Sequence, residues 1–217
     1  MSQISLPFEW HGGAEDGDFL VSDANAQAVA HLERWRDWPL SVSVLIGPPR
    51  SGRSTLARQF VAMSGGEIID DAQDGDGQGP DEHRLFHAWN AAQTERRPLL
   101  MVGRTSPAGW PVALPDLRSR LAAVPHVVIE EPDEALARAL IARAFDRAGA
   151  SYAADVPDWL LRRVERSYGA IDAITQLLDR AALSSGRKIS VAMAKEALQS
   201  AGFLPIVPLD PPPQQRE

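Results

Sequence analysis

The sequence predicts an α/β fold in which a parallel sheet is flanked by helices and followed by a small all-helical domain. Three observations lead to this prediction. Short apolar runs alternate with helical patterns as far as Glu131. The first core run, Val42 to Ile46, ends in a Gly-rich turn that opens an amphipathic stretch. After Glu131 the pattern is helical throughout, which suits a chain of 217 residues with one ordinary domain and a small appended one.

The first predicted elements precede and follow the Gly-rich turn. Residues 19–21 form a short extended piece, and Asn25 or Asp23 can cap the helix that follows. The first core strand is expected at 41–46, and the helix after the turn continues to about Met63.

Three further strands and one helix complete the predicted sheet layer. An apolar run at 68–71 ends in two acids and is followed by a Gly/Asp-rich loop. A helix is expected from about Asp81 to Gln93, because its apolar residues share one face. Strands are expected at 98–102 and 127–129, and alternation of strands with helices favours parallel pairing.

The helical part begins after Glu131. Pro132 is expected in the first turn of a helix, Asp133 and Glu134 suit the positive end of its dipole, and Gly149 is expected to terminate it. Two or three more helices follow to about Ala201. The predicted divisions are a flexible peptide at 1–10, an α/β nucleotide-binding domain at 11–131, a helical lid at 132–203 and a Pro-rich disordered tail at 204–217.

The Gly-rich turn at 47–55 matches a phosphate-binding loop with one altered residue. The usual pattern is G-x-x-x-x-G-K-[ST], and Arg53 stands at the position of the lysine. Glycines let the backbone wrap phosphate groups, and the following helix directs free N–H groups at them. Arginine is bulkier and planar, so we expect ADP or ATP binding that is weak or lost, with poor unaided hydrolysis. The alternative interpretation is a Gly-rich strand-to-helix turn that binds no ligand. The candidate nucleotide-binding residues of the loop are Gly47, Pro48, Arg50, Ser51, Gly52, Arg53, Ser54 and Thr55.

Two acids follow the next strand. Asp70 and Asp71 stand where folds of this kind place a carboxylate for the magnesium ion. We expect Asp70 and the Ser54 hydroxyl to hold Mg²⁺ when nucleotide is bound, with Asp71 beside the attacking water. A charged strand end without a ligand is the alternative.

The composition restricts the classes of partner and of site that are expected for this chain. The formal charge of −7 and the pI of about 5.3 argue against tight nonspecific DNA binding. The absence of cysteine excludes disulfides, thiolate nucleophiles and Cys-based metal sites. No signal sequence and no apolar run of membrane-spanning length are present, so a cytoplasmic protein without a membrane partner is expected.

Four segments together carry a family resemblance. They are QISLPF at 3–8, the phosphate loop, LPDLRSRL at 114–121 and LLDRAALSSGRKIS at 177–190. The chain resembles the AAA+ module of the bacterial initiator DnaA over about residues 3 to 200. It is more closely similar to the Hda family of regulatory inactivators of DnaA.

The resemblance implies a role in the regulation of chromosome replication initiation. Residues 3–8 resemble the peptide by which the family docks on the sliding clamp of DNA polymerase III; its candidate contacts are Gln3, Ile4, Leu6, Pro7 and Phe8. Physically, the amide fixes hydrogen bonds and the apolar residues form a plug that Pro7 preorders. Arg120 is implied as an arginine finger that acts in trans on ATP bound to DnaA. The stretch after the lid is too short for a helix-turn-helix domain, so no direct sequence-specific DNA binding is expected.

The sequence departs from the family pattern in several places. Only 17 residues separate Gly52 from Asp70, which favours four strands over five. The lid arginine that senses phosphate aligns with Gly169, and Arg104 and Thr105 are candidates for the polar sensor. These departures favour weak or absent intrinsic ATPase activity. A self-contained AAA+ ATPase of the helicase-loader or clamp-loader type is the alternative, and a nucleic-acid-binding module is disfavoured by charge. The sequence does not determine the oligomeric state, and a homodimer is one of the alternatives.

Overall fold

A computed structural model describes residues 8–10, 19–75, 77 and 79–204. Its strands are β1 (Phe8–Trp10), β2 (Phe19–Val21), β3 (Val42–Ile46), β4 (Glu67–Ile69), β5 (Leu99–Gly103) and β6 (His126–Val128). Its α-helices are α1 (Ala26–Glu33), α2 (Arg53–Ser64), α3 (Glu82–Glu95), α4 (Pro115–Ala123), α5 (Glu134–Arg147), α6 (Val156–Leu161), α7 (Tyr168–Ser185) and α8 (Val191–Ser200). Short 3₁₀ turns lie at Trp35–Asp37 and Pro107–Gly109. The predicted tail beyond 204 lies outside the described residues.

The core sheet has its strands in the order β4-β5-β3-β6, all parallel, which confirms the predicted fold class. Among the described residues it has four strands, as the short spacing between the loop and the acids favoured. Every residue of β3 and β5 is buried, as expected for central parallel strands covered on both faces. Val42, Val44 and Ile46 point to one face, where they join a cluster that includes Trp89 of α3 and Leu121 of α4.

A separate ribbon lies ahead of this sheet. β1 pairs antiparallel with β2, with Phe8 opposite Val21 and Trp10 opposite Phe19. The sequence places all of residues 1–10 in one flexible peptide, but the structure puts its last three residues in a paired strand. Cross-strand hydrogen bonding to β2 supplies the order that the short segment lacks by itself.

Two helix starts differ from the sequence expectation. Asn25 precedes α1, but its side chain accepts the Ser22 N–H at 2.9 Å and donates to the Leu20 carbonyl at 2.9 Å instead of capping the helix. Helix α5 begins at Glu134, so Pro132 lies outside its first turn. Asp133 caps it by accepting the Leu136 N–H at 2.7 Å. Although burial alone would raise the pKa of Asp133, this and further hydrogen bonds leave the pKa below its ordinary value.

The helical part forms a compact unit of its own, made of Leu140–Glu165 and the described residues from Ala170 to Leu204. Its core is apolar and includes Phe145, whose ring lies 5.1 Å from that of Tyr152. Helix α5 ends where Gly149 adopts φ of 66°, which confirms the predicted stop. Within the described residues, none of the helices combines the length and the apolar character needed to cross a bilayer.

Candidate functional site

The phosphate-binding loop connects the carboxyl end of β3 to the first turn of α2. Gly52 precedes the helix with φ of 84°, and Arg50 also has a positive φ of 65°. The first four N–H groups of an α-helix have no partner within the helix, so α2 directs unpaired donors toward the loop. The Ser51 hydroxyl oxygen is buried without a hydrogen-bond partner among the described residues. This backbone cradle and its orphaned polar atom fit a phosphate group.

Other atoms approach the backbone closely at both ends of the loop, where the chain has glycine. A Cβ atom on Gly47 would lie 3.0 Å from the Ile129 Cβ and 3.0 Å from the Ser51 hydroxyl oxygen. A Cβ atom on Gly52 would lie 2.8 Å from the ring of Phe19. Phe19, which is 7% exposed, therefore packs against the loop at Gly52. Strand β2 thus contacts the phosphate loop directly.

The side chain of Arg53 turns into the protein. Its Nη1 donates to the carbonyl oxygen of Gly103 at the end of β5, and the Gly47 N–H donates to the same oxygen at 3.3 Å. Burial lowers the pKa of Arg53, the negative charges of Asp71 and Asp70 raise it, and Arg104 lowers it. The guanidinium stays charged, because arginine titrates far above neutral pH. Its charge is thus committed to a contact within the chain.

The two acids after β4 lie on the same edge of the sheet as the loop, since carboxyl ends of parallel strands share one edge. Asp70 is exposed, and its carboxylate accepts the N–H of Asp71 at 3.0 Å; Asp71 has φ of 46°. No group of three or more His, Cys, Asp or Glu side chains that could hold a metal ion lies within the described part of the chain. The Ser54 hydroxyl and the Asp70 carboxylate are oxygen donors of the kind that Mg²⁺ takes together with phosphate oxygens and water.

Gln73 organises the loop after β5, a role that the sequence did not reveal. Its side-chain oxygen accepts the N–H groups of Arg104 at 2.6 Å and of Thr105 at 3.0 Å, and lies 3.2 Å from the Thr105 hydroxyl. Arg104 also pairs with Asp74 at 2.8 Å. Both sensor candidates are therefore fastened to the loop that follows the two acids. Partners 30 to 32 residues apart in the chain leave no local pattern.

Arg120 lies on α4 with its guanidinium held on one side. Nη1 donates to the Asn90 side-chain oxygen at 2.7 Å, and Nη2 lies 2.7 Å from the carboxylate of Asp116. The guanidinium carbon stands 5.0 Å from the ring centre of Phe86 and 6.0 Å from that of Trp89. The side chain is 30% exposed, so part of it faces solvent. Asn90 is a partner that sequence reasoning missed.

The remaining predicted site residues are described only in part. Gln3, Ile4, Leu6 and Pro7 lie outside the described residues, and of Phe8 only the backbone is described. Gly169 lies in the first turn of α7.

The sheet order, the phosphate loop after its central strand and the appended helical unit together define an AAA+ module. The family model described as the Hda lid domain matches residues 133–198. This match confirms the resemblance to the Hda family over the helical part of the chain.

Solved structures agree on the fold. Domain III of the Thermotoga maritima replication initiation protein DnaA superposes with a TM-score of 0.68 at 14% identity, over 86% of this chain and 95% of that one. The initiator DnaA bound to AMPPCP and single-stranded DNA gives 0.57 at 14% identity, over 77% and 66% of the two chains. A variant of Thermotoga maritima RuvB gives 0.61 at 16% identity, over 84% and 70%. A comparison with curated protein sequences found no match.

Proposed function

We propose that this chain regulates replication initiation by docking on the sliding clamp through residues 3–8 and promoting hydrolysis of DnaA-bound ATP through Arg120. The observation that carries the proposal is the contrast between the environments of Arg53 and Arg120. Arg53, at the chain's own phosphate loop, is bonded inward to Gly103. Arg120 is partly exposed on α4.

The geometry of Arg120 suits a group that acts on a neighbour's nucleotide. A guanidinium has five N–H donors, and the bonds to Asn90 and Asp116 use two of them. The N–H donors on the exposed side of the guanidinium can approach the phosphate oxygens of a nucleotide bound to a second protein. Charge that develops on the γ-phosphoryl group is stabilised by such a contact, and an arginine supplied in trans raises hydrolysis by about 10³–10⁵-fold in other systems.

The chain's own loop supports at most weak nucleotide binding. ADP or ATP with Mg²⁺ would be held by the loop amides, with Ser54 and Asp70 near the metal. Arg53 would have to leave the Gly103 carbonyl before it could contact a phosphate. Intrinsic hydrolysis therefore stays slow. A self-contained ATPase is the competing function, because the chain keeps the phosphate cradle of an AAA+ module.

The decisive experiment measures ATP hydrolysis by DnaA in the presence of clamp and DNA. Wild-type protein should accelerate hydrolysis, and Arg120→Ala should abolish the acceleration. Arg118→Ala is the matched control, since Arg118 lies two residues away on the same helix, exposed, with its guanidinium on the Ala113 carbonyl at 3.0 Å. Equal acceleration by wild type and Arg120→Ala would remove Arg120 from the mechanism.

Two further measurements separate the competing functions. Clamp binding should be lost in Gln3→Ala and in the Leu6→Ala/Phe8→Ala double variant, while Arg120→Ala binds normally. Hydrolysis by the isolated chain should stay far below about 1 per second, the lower end of ordinary enzymes. Brisk hydrolysis without DnaA, together with indifference to the clamp, would favour the self-contained ATPase.

A further inference from the structure

We propose that a cleft at the amino ends of β3 and β5, called here the amino-end cleft, binds a peptide segment of a partner protein in which a carboxylate lies beside an apolar side chain. The cleft has a volume of about 300 Å³. Its residues belong to the α/β unit and do not include Arg120 or the candidate docking peptide at 3–8. The site is therefore an addition to the function proposed above and does not depend on it.

Two connections between helices and strands supply the lining of the amino-end cleft. Residues 35–41 lead from α1 into β3, and residues 93–98 contain the end of α3 and the turn into β5. Val42 pairs with Leu99, and the Leu99 N–H donates to the Ser41 carbonyl at 2.8 Å, so both connections meet at one edge of the sheet. The phosphate loop follows the other end of β3, about 16 Å away for a strand of five residues. The cleft is thus separate from the candidate nucleotide site.

The amino-end cleft presents positive charge without a compensating carboxylate. Arg36 and Arg96 both line it, and no acidic side chain is among its described lining residues. Within the part of the chain that the structure describes, neither arginine takes part in an ion pair. Asp37 and Glu95 adjoin them in sequence but do not line the cleft. On a chain with a formal charge of −7, two guanidinium groups without a counter-ion favour an anionic occupant.

The backbone of Arg96 also points to a role for its side chain. Arg96 ends α3 in the left-handed conformation, with φ of 53° and ψ of 33°. Helices favour glycine at such a position, because glycine adopts a positive φ without a steric cost. Arg96 is exposed, and its side chain makes no hydrogen bond to the described residues that would offset this cost. Residues held in such conformations cluster at binding sites, and a ligand of the guanidinium accounts for the arginine.

Apolar walls and one unpaired donor complete the amino-end cleft. Trp35, Trp38 and Pro98 are among its lining residues. The Trp38 ring is stacked on those of His31 and Phe60, at 5.0 and 5.4 Å between ring centres, and its Nε1 donates to the His31 carbonyl at 2.9 Å. Trp35, in contrast, has a buried Nε1 without a hydrogen-bond partner among the described residues. A buried donor without a partner is costly, so an oxygen atom of an occupant would stabilise Trp35 as well as the complex.

The chemistry of the cleft favours a carboxylate peptide over a nucleic acid. Trp38 is already stacked within the chain, and the Arg36 guanidinium lies 4.3 Å over the Trp35 ring, so neither indole has both faces free to stack on bases. A volume of about 300 Å³ is at the lower limit for ligand clefts and suits one or two side chains. Arginine binds carboxylates through parallel hydrogen bonds, and tryptophan and arginine are enriched among residues that dominate protein–protein binding.

NMR titration of the ¹⁵N-labelled chain tests the proposal directly. The probe is a terminally blocked pentapeptide of alternating glutamate and leucine. The Trp35 indole N–H signal, assigned with Trp35→Phe, should move downfield as its hydrogen bond forms, with half-saturation at about 1 mM or below for so small a cleft. The Trp110 indole N–H, which donates to the Thr105 carbonyl at 3.1 Å, should not move. A matched peptide of alternating glutamine and leucine should bind about 10-fold more weakly.

Replacement of Arg96 by glycine separates a binding role from a structural one. Arg96→Gly should weaken peptide binding by about 10-fold, because a charge-assisted hydrogen bond is lost. Its thermal midpoint should equal or exceed that of wild type, since glycine accepts the backbone conformation. Arg36→Gln should weaken binding to a similar extent. Arg34→Gln is the matched control and should bind normally, because Arg34 lies outside the cleft, exposed, with its guanidinium on the Ala30 carbonyl at 3.4 Å.

The possible results either establish the site or overturn it. A Trp35 shift that is weakened in Arg96→Gly and Arg36→Gln but kept in Arg34→Gln would establish it. No Trp35 shift at several millimolar peptide would exclude it. Equal affinity of wild type and Arg96→Gly, or of the glutamate and glutamine peptides, would show that the guanidinium charge is not used. Saturation of the same signal by an oligothymidylate, without peptide binding, would make the cleft a nucleic-acid surface instead.

Discussion

Replacement of Arg53 by methionine should weaken the α/β unit, which would be unusual for a residue of a ligand-binding loop. Methionine keeps the length of the apolar stem but removes the guanidinium that donates to the Gly103 carbonyl. A hydrogen bond from a charged donor contributes roughly 1.5–3 kcal/mol, and partial exposure favours the lower end. The Gly47 N–H still reaches the same oxygen at 3.3 Å, so the carbonyl is not left unpaired. We therefore expect a loss of about 1.5 kcal/mol.

Denaturant unfolding without nucleotide, followed by tryptophan fluorescence, is the assay. Trp35, Trp38, Trp89 and Trp110 all lie in the α/β unit, so the signal reports chiefly on that unit. For a unit of this size, the loss corresponds to a fall of about 3–6 °C in the thermal midpoint.

The control for this experiment is Arg58→Met. Arg58 lies on the same helix, and its contact with the Thr55 hydroxyl at 3.3 Å is at the surface. It should change stability by less than about 0.5 kcal/mol. If Arg53→Met and wild type share one midpoint and one denaturant slope, the inward bond contributes nothing, and the explanation for weak nucleotide binding loses its basis.

Three other perturbations test the structure further. Gly52→Ala should cost more than about 1 kcal/mol in thermal unfolding, because residue 52 has φ of 84° and its Cβ would lie 2.8 Å from the Phe19 ring; a neutral result would contradict that packing. Burial, and secondarily Arg34, lowers the pKa of His31, so the unfolded chain takes up a proton at a higher pH than the folded chain does. This contribution to stability is complete above about pH 6.5 and is lost as the pH falls below it; His31→Gln should flatten that slope in denaturant titrations between pH 7.5 and 5. Phe145→Ala should destabilise the helical unit by about 3–5 kcal/mol, measured by hydrogen exchange of its amides, and unchanged protection would refute the assigned core.

The sequence was informative wherever structure depends on neighbouring residues. Apolar runs located β3 and β5 to within one residue, because buried parallel strands need continuous hydrophobic side chains. Gly149 ended α5 as predicted, since few other residues adopt a positive φ at that position without cost. The number of strands followed from the short spacing between two motifs.

Contacts between distant residues were not predictable in the same way. The partner of Arg53 lies 50 positions away, and that of Arg120 lies 30 positions away. Neither pairing changes a local sequence pattern. The loop motif therefore predicted the position of Arg53 in the loop but not the direction of its side chain. At α5, the Asp133 carboxylate provided the cap, and the helix therefore began two residues after Pro132.

The pairing of Phe8 with Val21 bears on how a clamp would carry this molecule. Phe8 is both the last residue of the candidate docking peptide and the first residue of β1. No spacer therefore separates this peptide from the ribbon that β1 forms with β2. Each spacer residue would add at most about 3.5 Å of slack. A docking peptide without a spacer would restrict the folded module to a small volume beside the clamp. Its effective concentration for targets in that volume would then be higher. The ring would then select targets by geometry as well as by affinity.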